Sequence, residues 1–406
     1  MIRTDRAYFI LLVGLLGAIG IIDTAVLNPT IAAYAKSLGA SDVFAGLIAG
    51  LYAIVAIPAS LAMGLTIDAI GRRRALIIGL GLTALWVYGY ALAMTPTQLM
   101  LFRITHAISG SLVFPASIAL IVDAARQKVG RSVGLYWVVI GSVIFIGSAL
   151  SGTLVPVLGF RTLFVLVAAI SLVGMVLAFT VPETAKRRVM PRASLSVLAS
   201  AMRWLSVAYV SMFALYFAFG VVVGSLSLVI GRSGVPLEQA AATVALYIAL
   251  ATAISLPAFP LVARLLERVG TVRTLSLGIA LAAVSQVLLV FSLGTPTLIL
   301  SAALLGGAIA FVFVTSTAVA ALPEARGASI GLHQTANVAG VALGAPISGL
   351  VLQTWGILAP YALAVIVLVV ALALILTSRK AIQPADQKLM SAPREPLPRG
   401  VPPEER

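Results

Sequence analysis

The chain has 406 residues, of which 61% are hydrophobic and only 10% are charged, with a formal net charge of +14. This composition excludes a soluble globular domain and predicts a protein embedded in a membrane. Because the chain contains no cysteine, it also excludes disulfides, thiolate metal sites and thiol redox chemistry.

Long stretches without a charged residue recur along the chain, as at 11–22, 45–67 and 135–158. An α-helix needs about 20 apolar residues to cross ~30 Å of hydrocarbon, whereas a membrane barrel would show alternating polarity. We therefore predict an all-α membrane protein with twelve transmembrane helices. They lie at about 7–34, 43–69, 75–94, 98–123, 131–156, 161–181, 205–230, 238–265, 273–293, 297–321, 327–353 and 358–378.

Lysine and arginine are distributed unevenly between the two sides of the predicted bundle. Of 27 basic residues, 23 fall on the side of the amino terminus, while only Lys36, Arg161 and Arg232 fall opposite. The positive-inside rule then predicts that both termini are cytoplasmic. The basic excess orients the chain and meets the anionic headgroups of the lipid bilayer, so we expect a multi-pass protein of the cell (inner or plasma) membrane that binds no nucleic acid.

The order of turn-forming residues is repeated along the chain. Pro58 and Gly71 recur as Pro257 and Gly270, both 199 positions later. Since proline and glycine fix kinks and turns, the recurrence predicts one backbone plan used twice. We predict two pseudo-symmetric six-helix halves at 1–181 and 205–378, a basic cytoplasmic linker at 182–204 and a disordered, proline-rich cytoplasmic tail at 379–406.

The loop between the second and third predicted helices carries a motif. It reads Gly64-Leu-Thr-Ile-Asp68-Ala-Ile-Gly71-Arg72-Arg73-Arg74. This resembles the signature loop of the major facilitator superfamily, Gly-x-Leu-Ala-Asp-Arg-x-Gly-Arg-Lys, with departures at 66, 67 and 69. The resemblance implies a transporter whose cytoplasmic gate contains Gly64, Asp68, Gly71, Arg72 and Arg73, with Asp123 as the partner of Arg72. A positive-inside turn without a gating role is the alternative.

Within that superfamily, the chain is most similar to the drug:proton antiporter branch. Asp23 followed by Asn28 resembles the branch's first-helix acid with asparagine five positions later. Arg103 matches the arginine of its fourth-helix motif, although His106 stands where that motif has glutamine. The fifth-helix antiporter motif lacks its proline at Ser148, which leaves the direction of transport open.

Asp23 is the carboxylate that we predict deep inside a transmembrane helix. It lies about 24 Å along its helix, and Arg103 lies about 9 Å into its own, at ~1.5 Å per residue. Both fall in the outer half, so an Asp23–Arg103 approach is feasible. An ionised acid at that depth must be protonated, paired or hydrated. We predict that Asp23, Arg103 and His106 couple transport to protons; the alternative is a static Asp23–Arg103 pair that fixes helix register.

The resemblance places the first, fourth, seventh and tenth helices around a central cavity. The seventh carries several aromatic residues on one face, which suits flat, amphipathic ligands, although such a face can also serve packing. The predicted substrate-cavity residues are Asn28, Arg103, Phe114, Tyr209, Phe213, Tyr216, Phe217, Phe311 and Thr315.

These observations predict a secondary active transporter that works by alternating access, is proton-coupled and exports small lipophilic or cationic compounds such as drugs. Uptake of a small organic anion or metabolite, with Arg103 as counter-charge, is the alternative, and a non-transporting receptor or scaffold lies outside this class. We expect a monomer without cofactor or metal. Two Gly-x-Ser-x-Gly sequences, around Ser132 and Ser329, lack the strand and the His–acid pair of a hydrolase, so no enzyme is predicted.

Overall fold

A computed structural model of the protein describes the backbone of residues 3–125, 129–183, 195–322, 326–379 and 382–383. All of its main elements are helices, which confirms the predicted all-α class for these residues. The helices are α1 (Arg3–Leu27), α2 (Ile31–Ser37), α3 (Asp42–Ile70), α4 (Arg72–Leu92), α5 (Pro96–Ala125), α6 (Val129–Ala178), α7 (Leu195–Arg232), α8 (Leu237–Val269), α9 (Thr271–Phe291), α10 (Thr295–Ala320), α11 (Arg326–Trp355) and α12 (Ala359–Thr377).

The described helices account for twelve membrane crossings. Ten described helices are long and apolar enough to span the membrane, and the bent pair α1–α2 adds an eleventh span. One of the ten, Val139–Ala178, has 40 residues, or about 60 Å at ~1.5 Å per residue, twice the hydrocarbon thickness. Because this stretch breaks at Gly159, where φ is 75° and ψ is 168°, we count it as two crossings.

The first crossing is bent, which the continuous helix predicted at 7–34 did not include. α1 ends at Leu27, α2 begins at Ile31, and the two meet at 49°. Pro29 lacks a backbone N–H and restricts the residue before it, so it interrupts the helix. The Thr30 hydroxyl donates to the Leu27 carbonyl oxygen at 3.0 Å and satisfies an acceptor at the helix end.

The turns between helices lie at two opposite ends of the bundle. One end, named here the Asp42 face, carries residues 38–42, 93–95, 159 and 233–236. The other end, named the Gly71 face, carries residues 71, 179–183 and 270. Gly71 and Gly270 adopt φ values of 93° and 82°, a backbone region that favours glycine because it has no Cβ.

α7 begins inside the stretch predicted as the linker. Its first residue is Leu195, so 195–204 are helical, and their assignment to the linker stays a prediction. Leu195–Met202 contains no proline or glycine, which allows the helix to extend this far. Residues 184–194 of the predicted linker, and the predicted tail apart from 379, 382 and 383, lie outside the described residues.

Candidate functional site: a central cavity beside a buried acid

A cavity of about 400 Å³ lies in the middle of the bundle. It is enclosed by α1, α3, α5 and α6 on one side and by α7, α8, α10 and α11 on the other. Six aromatic side chains line it: Tyr52, Phe114, Tyr216, Phe219, Phe259 and Phe313. Among the described residues that line it, none is Asp, Glu, Lys, Arg or His.

Two aromatic pairs shape the side of the cavity formed by α7, α8 and α10. The Phe259 and Phe313 rings are stacked, with centroids 6.0 Å apart and planes inclined by 18°. Tyr216 and Phe219 contact each other at 5.9 Å. These rings give the cavity flat apolar walls on which a planar ligand can pack.

Several small polar side chains of the wall are bonded to the helix backbone. Four lining hydroxyls donate their protons to backbone carbonyl oxygens, at distances from 2.8 to 3.2 Å: Ser111, Ser148, Thr252 and Ser255. A hydroxyl whose proton is committed in this way keeps its acceptor capacity. The wall therefore accepts hydrogen bonds at several points.

Asp23 lies beside this cavity and is bonded to His106. The His106 Nε2 atom is 2.6 Å from Asp23 Oδ2, and the two residues, His106 and Asp23, are 0% and 1% exposed. On the other side of the ring, His106 Nδ1 lies 2.8 Å from the Tyr90 hydroxyl. Asp23 on α1, His106 on α5 and Tyr90 on α4 thus form one buried chain of hydrogen bonds.

Two proton arrangements satisfy this chain. In one, His106 Nε2–H donates to an ionised Asp23 while the Tyr90 O–H donates to Nδ1. In the other, a protonated Asp23 donates to Nε2 while Nδ1–H donates to Tyr90. The second arrangement holds one proton more than the first, because Asp23 gains a proton while the ring and Tyr90 stay neutral. When that added proton lies on the ring instead, the imidazolium donates at both nitrogens, so the proton can pass between ring and acid without any change of heavy-atom position.

Arg103 is also buried, at 1% exposure, but it does not pair with Asp23. One guanidinium nitrogen donates to Asn28 Oδ1 at 3.2 Å and lies 3.5 Å from the Ala49 carbonyl oxygen. The guanidinium also lies 5.2 Å from the centre of the Tyr52 ring, a favourable cation–π geometry.

The Asp23–Arg103 pair considered from the sequence is therefore wrong as a salt bridge. Both side chains are described, and no nitrogen–oxygen distance within 4 Å joins them. Similar depth along two helices does not fix the rotation of each helix about its axis. His106, three residues after Arg103, is the α5 side chain directed at Asp23.

Tyr52 and Asn28 separate the charged cluster from the cavity. Both line the cavity, and both contact Arg103. The Tyr52 ring also packs edge-on against His106 at 5.2 Å. Its hydroxyl occupies the space that a side chain would fill at position 110, which is glycine. Sequence reasoning missed Tyr52 and Tyr90, although polar side chains within transmembrane helices are a recognised signal of function.

The structure divides the predicted substrate-cavity residues. Asn28, Phe114 and Tyr216 line the cavity. Phe217 instead faces α11, where its backbone lies against Gly340 and Gly344. Phe213 contacts Phe217 at 6.1 Å and belongs to the same α7–α11 contact.

The remaining predicted cavity residues lie away from the described cavity lining. The Tyr209 hydroxyl is 3.0 Å from Ser329 Oγ, between α7 and α11. Phe311 packs on Gly278 of α9, and Thr315 is fully buried in α10. Arg103 acts on the cavity through Asn28 and Tyr52, since it is not itself part of the lining.

The cavity is closed toward the Asp42 face. Asp42 accepts a 2.6 Å bond from Lys36 Nζ and a very short bond from Arg232 at the end of α7. Next to it, the Val43 N–H donates to Gln353 Oε1 of α11 at 3.2 Å. We name this group of side chains the Asp42 clasp, which no sequence motif predicted.

Glycines allow α3 and α11 to touch beneath the clasp. A Cβ at Gly46 would lie 2.8 Å from the Ala345 carbonyl oxygen and 2.9 Å from the Gly349 Cα. Such distances are closer than real Cβ contacts, so only glycine fits. Helix backbones in direct contact form a seal with little room for solvent.

The predicted gate lies at the opposite face. The backbone N–H groups of Arg72 and Arg73 donate to the two carboxylate oxygens of Glu183 at 3.0 and 3.1 Å, so Glu183 caps the start of α4. Arg73 also donates to the Phe179 carbonyl oxygen at 2.6 Å. Gly64 and Asp68 lie in α3 and Asp123 lies in α5, but their side chains are outside the described residues.

A bundle of transmembrane helices around a central cavity that is closed at one face is typical of membrane transporters. The family model of the Major Facilitator Superfamily matches residues 13–268 and again 208–401. The chain therefore belongs to the major facilitator superfamily. The match is to the superfamily, so membership of its drug:proton antiporter branch stays a prediction.

Solved structures of transporters have the same fold. A mutant of the nucleoside transporter NupG is 14% identical with a TM-score of 0.75, and the alignment covers 92% of this chain and 99% of the NupG chain. A bacterial homolog of the human lysosomal transporter Spinster, inward-facing and occupied, is 17% identical with a TM-score of 0.76, covering 95% and 99%. The unoccupied inward-facing form of that homolog is 14% identical with a TM-score of 0.71, and the alignment covers 98% of this chain and 100% of the homolog. At these identities the likeness shows the fold alone. No curated protein sequence matches.

Proposed function

We propose that the protein is a secondary active transporter that works by alternating access and couples substrate movement to proton uptake and release at Asp23 and His106. The observation that carries the proposal is the 2.6 Å Asp23–His106 bond beside an uncharged cavity. An acid that shares a proton with an imidazole in a buried site can change its protonation when water reaches it.

Charge balance supports a proton-driven change of state. With Asp23 ionised and His106 neutral, the positive charge of Arg103 offsets the carboxylate. One added proton leaves a net positive charge in a region that is almost fully buried. Because an uncompensated charge in a buried site is costly, protonation favours a conformation in which the cluster is hydrated.

We infer that the described conformation opens toward the cytoplasm. The Asp42 clasp and the α3–α11 contact seal the Asp42 face, while the cavity lining extends to exposed Ser60 on the Gly71 side. The basic residues predicted on the side of the amino terminus favour a cytoplasmic Gly71 face and a cell-membrane location. Opening the clasp would then expose the cavity to the other side of the membrane.

The substrate is a small organic molecule in this proposal, and the lining favours lipophilic compounds over organic anions. The anion alternative needs Arg103 as a direct counter-charge, but Arg103 is 1% exposed and lies behind Asn28 and Tyr52. Export, as in the drug:proton antiporter branch, is the direction favoured by the first-helix motif around Asp23 and Asn28.

Flux measurements in proteoliposomes test this function. The purified protein is reconstituted and given a panel that spans uridine, tetraphenylphosphonium, benzoate and 2-naphthamide, with and without an imposed pH gradient. At least one compound should move faster with the gradient, and Asp23→Asn should abolish that acceleration. Glu238→Gln, which removes one acid at the Asp42 face outside the cluster, is the matched control.

Two outcomes would contradict the proposal. No flux of any panel compound through folded protein would favour a receptor or scaffold. Full gradient dependence in a folded Asp23→Asn protein would remove Asp23 as the coupling acid.

A further inference from the structure

We propose that the cavity selects an uncharged, flat-ring molecule that donates hydrogen bonds, such as an aromatic amide or another neutral ring compound with N–H or O–H groups. This inference rests on the proposed transport function and narrows its substrate class. It excludes the lipophilic cations and the organic anions that the sequence left open.

The described wall of the cavity carries no charge that could balance a charged ligand. No described lining residue is ionisable as an acid or a base near neutral pH, so a charged ligand would lose its hydration without gaining a partner of opposite sign. The nearby ionised groups do not supply one, because Asp23 is bonded to His106 and Arg103 to Asn28. Both of these charged side chains are only 1% exposed.

The polar groups of the wall define the hydrogen bonds that a ligand must make. The protons of Ser111, Thr252 and Ser255 are committed to backbone carbonyl oxygens, so the acceptor capacity of these hydroxyls remains. A ligand without a donor would displace water from those oxygens and leave them unpaired, which lowers affinity. A ligand with N–H or O–H groups satisfies them.

Asn28 supplies the complementary donor. Its Oδ1 accepts from Arg103, which has no acceptor atoms, so the amide orientation is fixed and the Nδ2 hydrogens remain. Because Asn28 lines the cavity, those hydrogens are available to a carbonyl or hydroxyl oxygen of the ligand. A neutral amide presents both a donor and an acceptor and therefore matches the wall.

The aromatic residues favour a flat ring over a cation. The Phe259 and Phe313 rings lie nearly parallel, with planes inclined by 18° and centroids 6.0 Å apart. The Tyr52 ring already interacts with the Arg103 guanidinium at 5.2 Å. A ligand cation would compete with Arg103 for the electron-rich face of Tyr52, whereas a neutral ring can stack without that penalty.

Four compounds of almost equal shape test the proposal on the purified full-length protein. They are 2-naphthamide, the 2-naphthamidinium cation, the 2-naphthoate anion and N,N-dimethyl-2-naphthamide, with binding followed by calorimetry and thermal shift. We expect 2-naphthamide to bind at least tenfold more tightly than each of the other three. Equal or tighter binding of the cation or the anion, or no binding of 2-naphthamide, would overturn the proposal.

A gain-of-function pair adds a second readout. Thr252→Asp places a carboxylate in the cavity wall, and we expect it to raise affinity for 2-naphthamidinium at least tenfold relative to Thr252→Asn, its uncharged isostere. No gain in a Thr252→Asp protein with a normal thermal transition would contradict the proposal. If that variant does not fold, the four-compound comparison on the wild-type protein decides.

Flux and binding measurements together distinguish an incorrect substrate class from an incorrect transport function. Gradient-driven flux of tetraphenylphosphonium or benzoate by the wild-type protein would overturn the substrate class and leave proton-coupled transport standing. Binding of 2-naphthamide, with no flux of any compound, would support the substrate class and contradict transport.

Discussion

His106 Nε2 lies 2.6 Å from Asp23 Oδ2, and this bond joins α5 to α1 where neither side chain is exposed by more than 1%. The same ring binds Tyr90 of α4 through its other nitrogen. A single imidazole thus connects three helices next to the cavity. Any change in its protonation alters the hydrogen bonding of all three.

We predict that His106→Gln uncouples transport from the pH gradient. Glutamine can still donate to Asp23, but it cannot share a proton with it at physiological pH. Gradient-driven flux in proteoliposomes should fall at least tenfold, while downhill flux without a gradient persists. His333→Gln is the matched control, because His333 of α11 bonds Ser316 rather than the cluster. Equal loss in both variants would contradict a special role for His106.

Arg103→Ala should weaken substrate binding only modestly. Since Arg103 is not part of the described lining, its loss acts through Asn28 and Tyr52 and should change Kd by less than about tenfold, or ~1.4 kcal/mol. If Arg103 contacted an anionic ligand directly, its removal would instead cost about 2–5 kcal/mol of binding free energy. Calorimetric titration with benzoate and 2-naphthamide measures both cases. A loss above a hundredfold for benzoate alone would favour the anion alternative.

The same substitution should reduce thermal stability. Arg103→Ala removes a buried cation that offsets Asp23 and leaves a gap beside Tyr52. Removing one member of a buried, compensated charge group typically costs about 3–5 kcal/mol. A lower melting temperature that recovers as the pH is reduced would show that protonation of the cluster relieves the imbalance. A pH-independent drop would point to lost packing instead.

Asp42→Asn should open the Asp42 clasp. The substitution leaves Lys36 and Arg232 facing each other without the carboxylate that joins them. Because the chain has no cysteine, an introduced Ala49→Cys in the cavity wall is a unique probe. Its labelling by a membrane-impermeant maleimide applied at the Asp42 face should accelerate about tenfold, since ~1.4 kcal/mol shifts an equilibrium tenfold. Glu238→Gln, a nearby loss of one acid, should leave the rate unchanged.

Two glycines of α11 should respond oppositely to alanine. At Gly349, a Cβ would lie 3.1 Å from the Gly46 Cα and closer still to the Asp42 carbonyl oxygen, so Gly349→Ala should force α3 away from α11. At Gly331 nothing lies within 4 Å, so Gly331→Ala should stabilise the helix by about 0.5–1 kcal/mol. Thermal unfolding in detergent and Ala49→Cys labelling measure both effects. Faster labelling in the Gly331 variant than in the Gly349 variant would contradict the α3–α11 seal.

The positions of the helices could be predicted because they follow from hydrophobic length. The predicted stretch 43–69 became α3 at Asp42–Ile70, and the predicted pair 131–156 and 161–181 is the broken α6. The bend after Leu27 was missed because the spans were predicted from hydrophobic length, which does not show where Pro29 interrupts a helix. The predicted twofold arrangement of six-helix halves stays a prediction.

The candidate site was less predictable, because depth along a helix is known from the sequence but rotation about its axis is not. Asp23, His106 and Arg103 were recognised as buried polar residues, yet their pairing depended on which α5 residue faces α1. The aromatic face of α7 shows the same limit. Tyr216 and Phe217 are neighbours in sequence and therefore point about 100° apart, so only Tyr216 reaches the cavity.

Gly159 joins the two crossings of α6 with a single non-helical residue. A connection this short leaves almost no polypeptide projecting above the bilayer at that point, so it offers little accessible surface as an epitope for an antibody or nanobody. An epitope tag or a fusion partner inserted at Gly159 would pull the two helices apart. The turn around Gly234, with exposed residues on both sides, is the better place on the same face to attach a marker for electron microscopy.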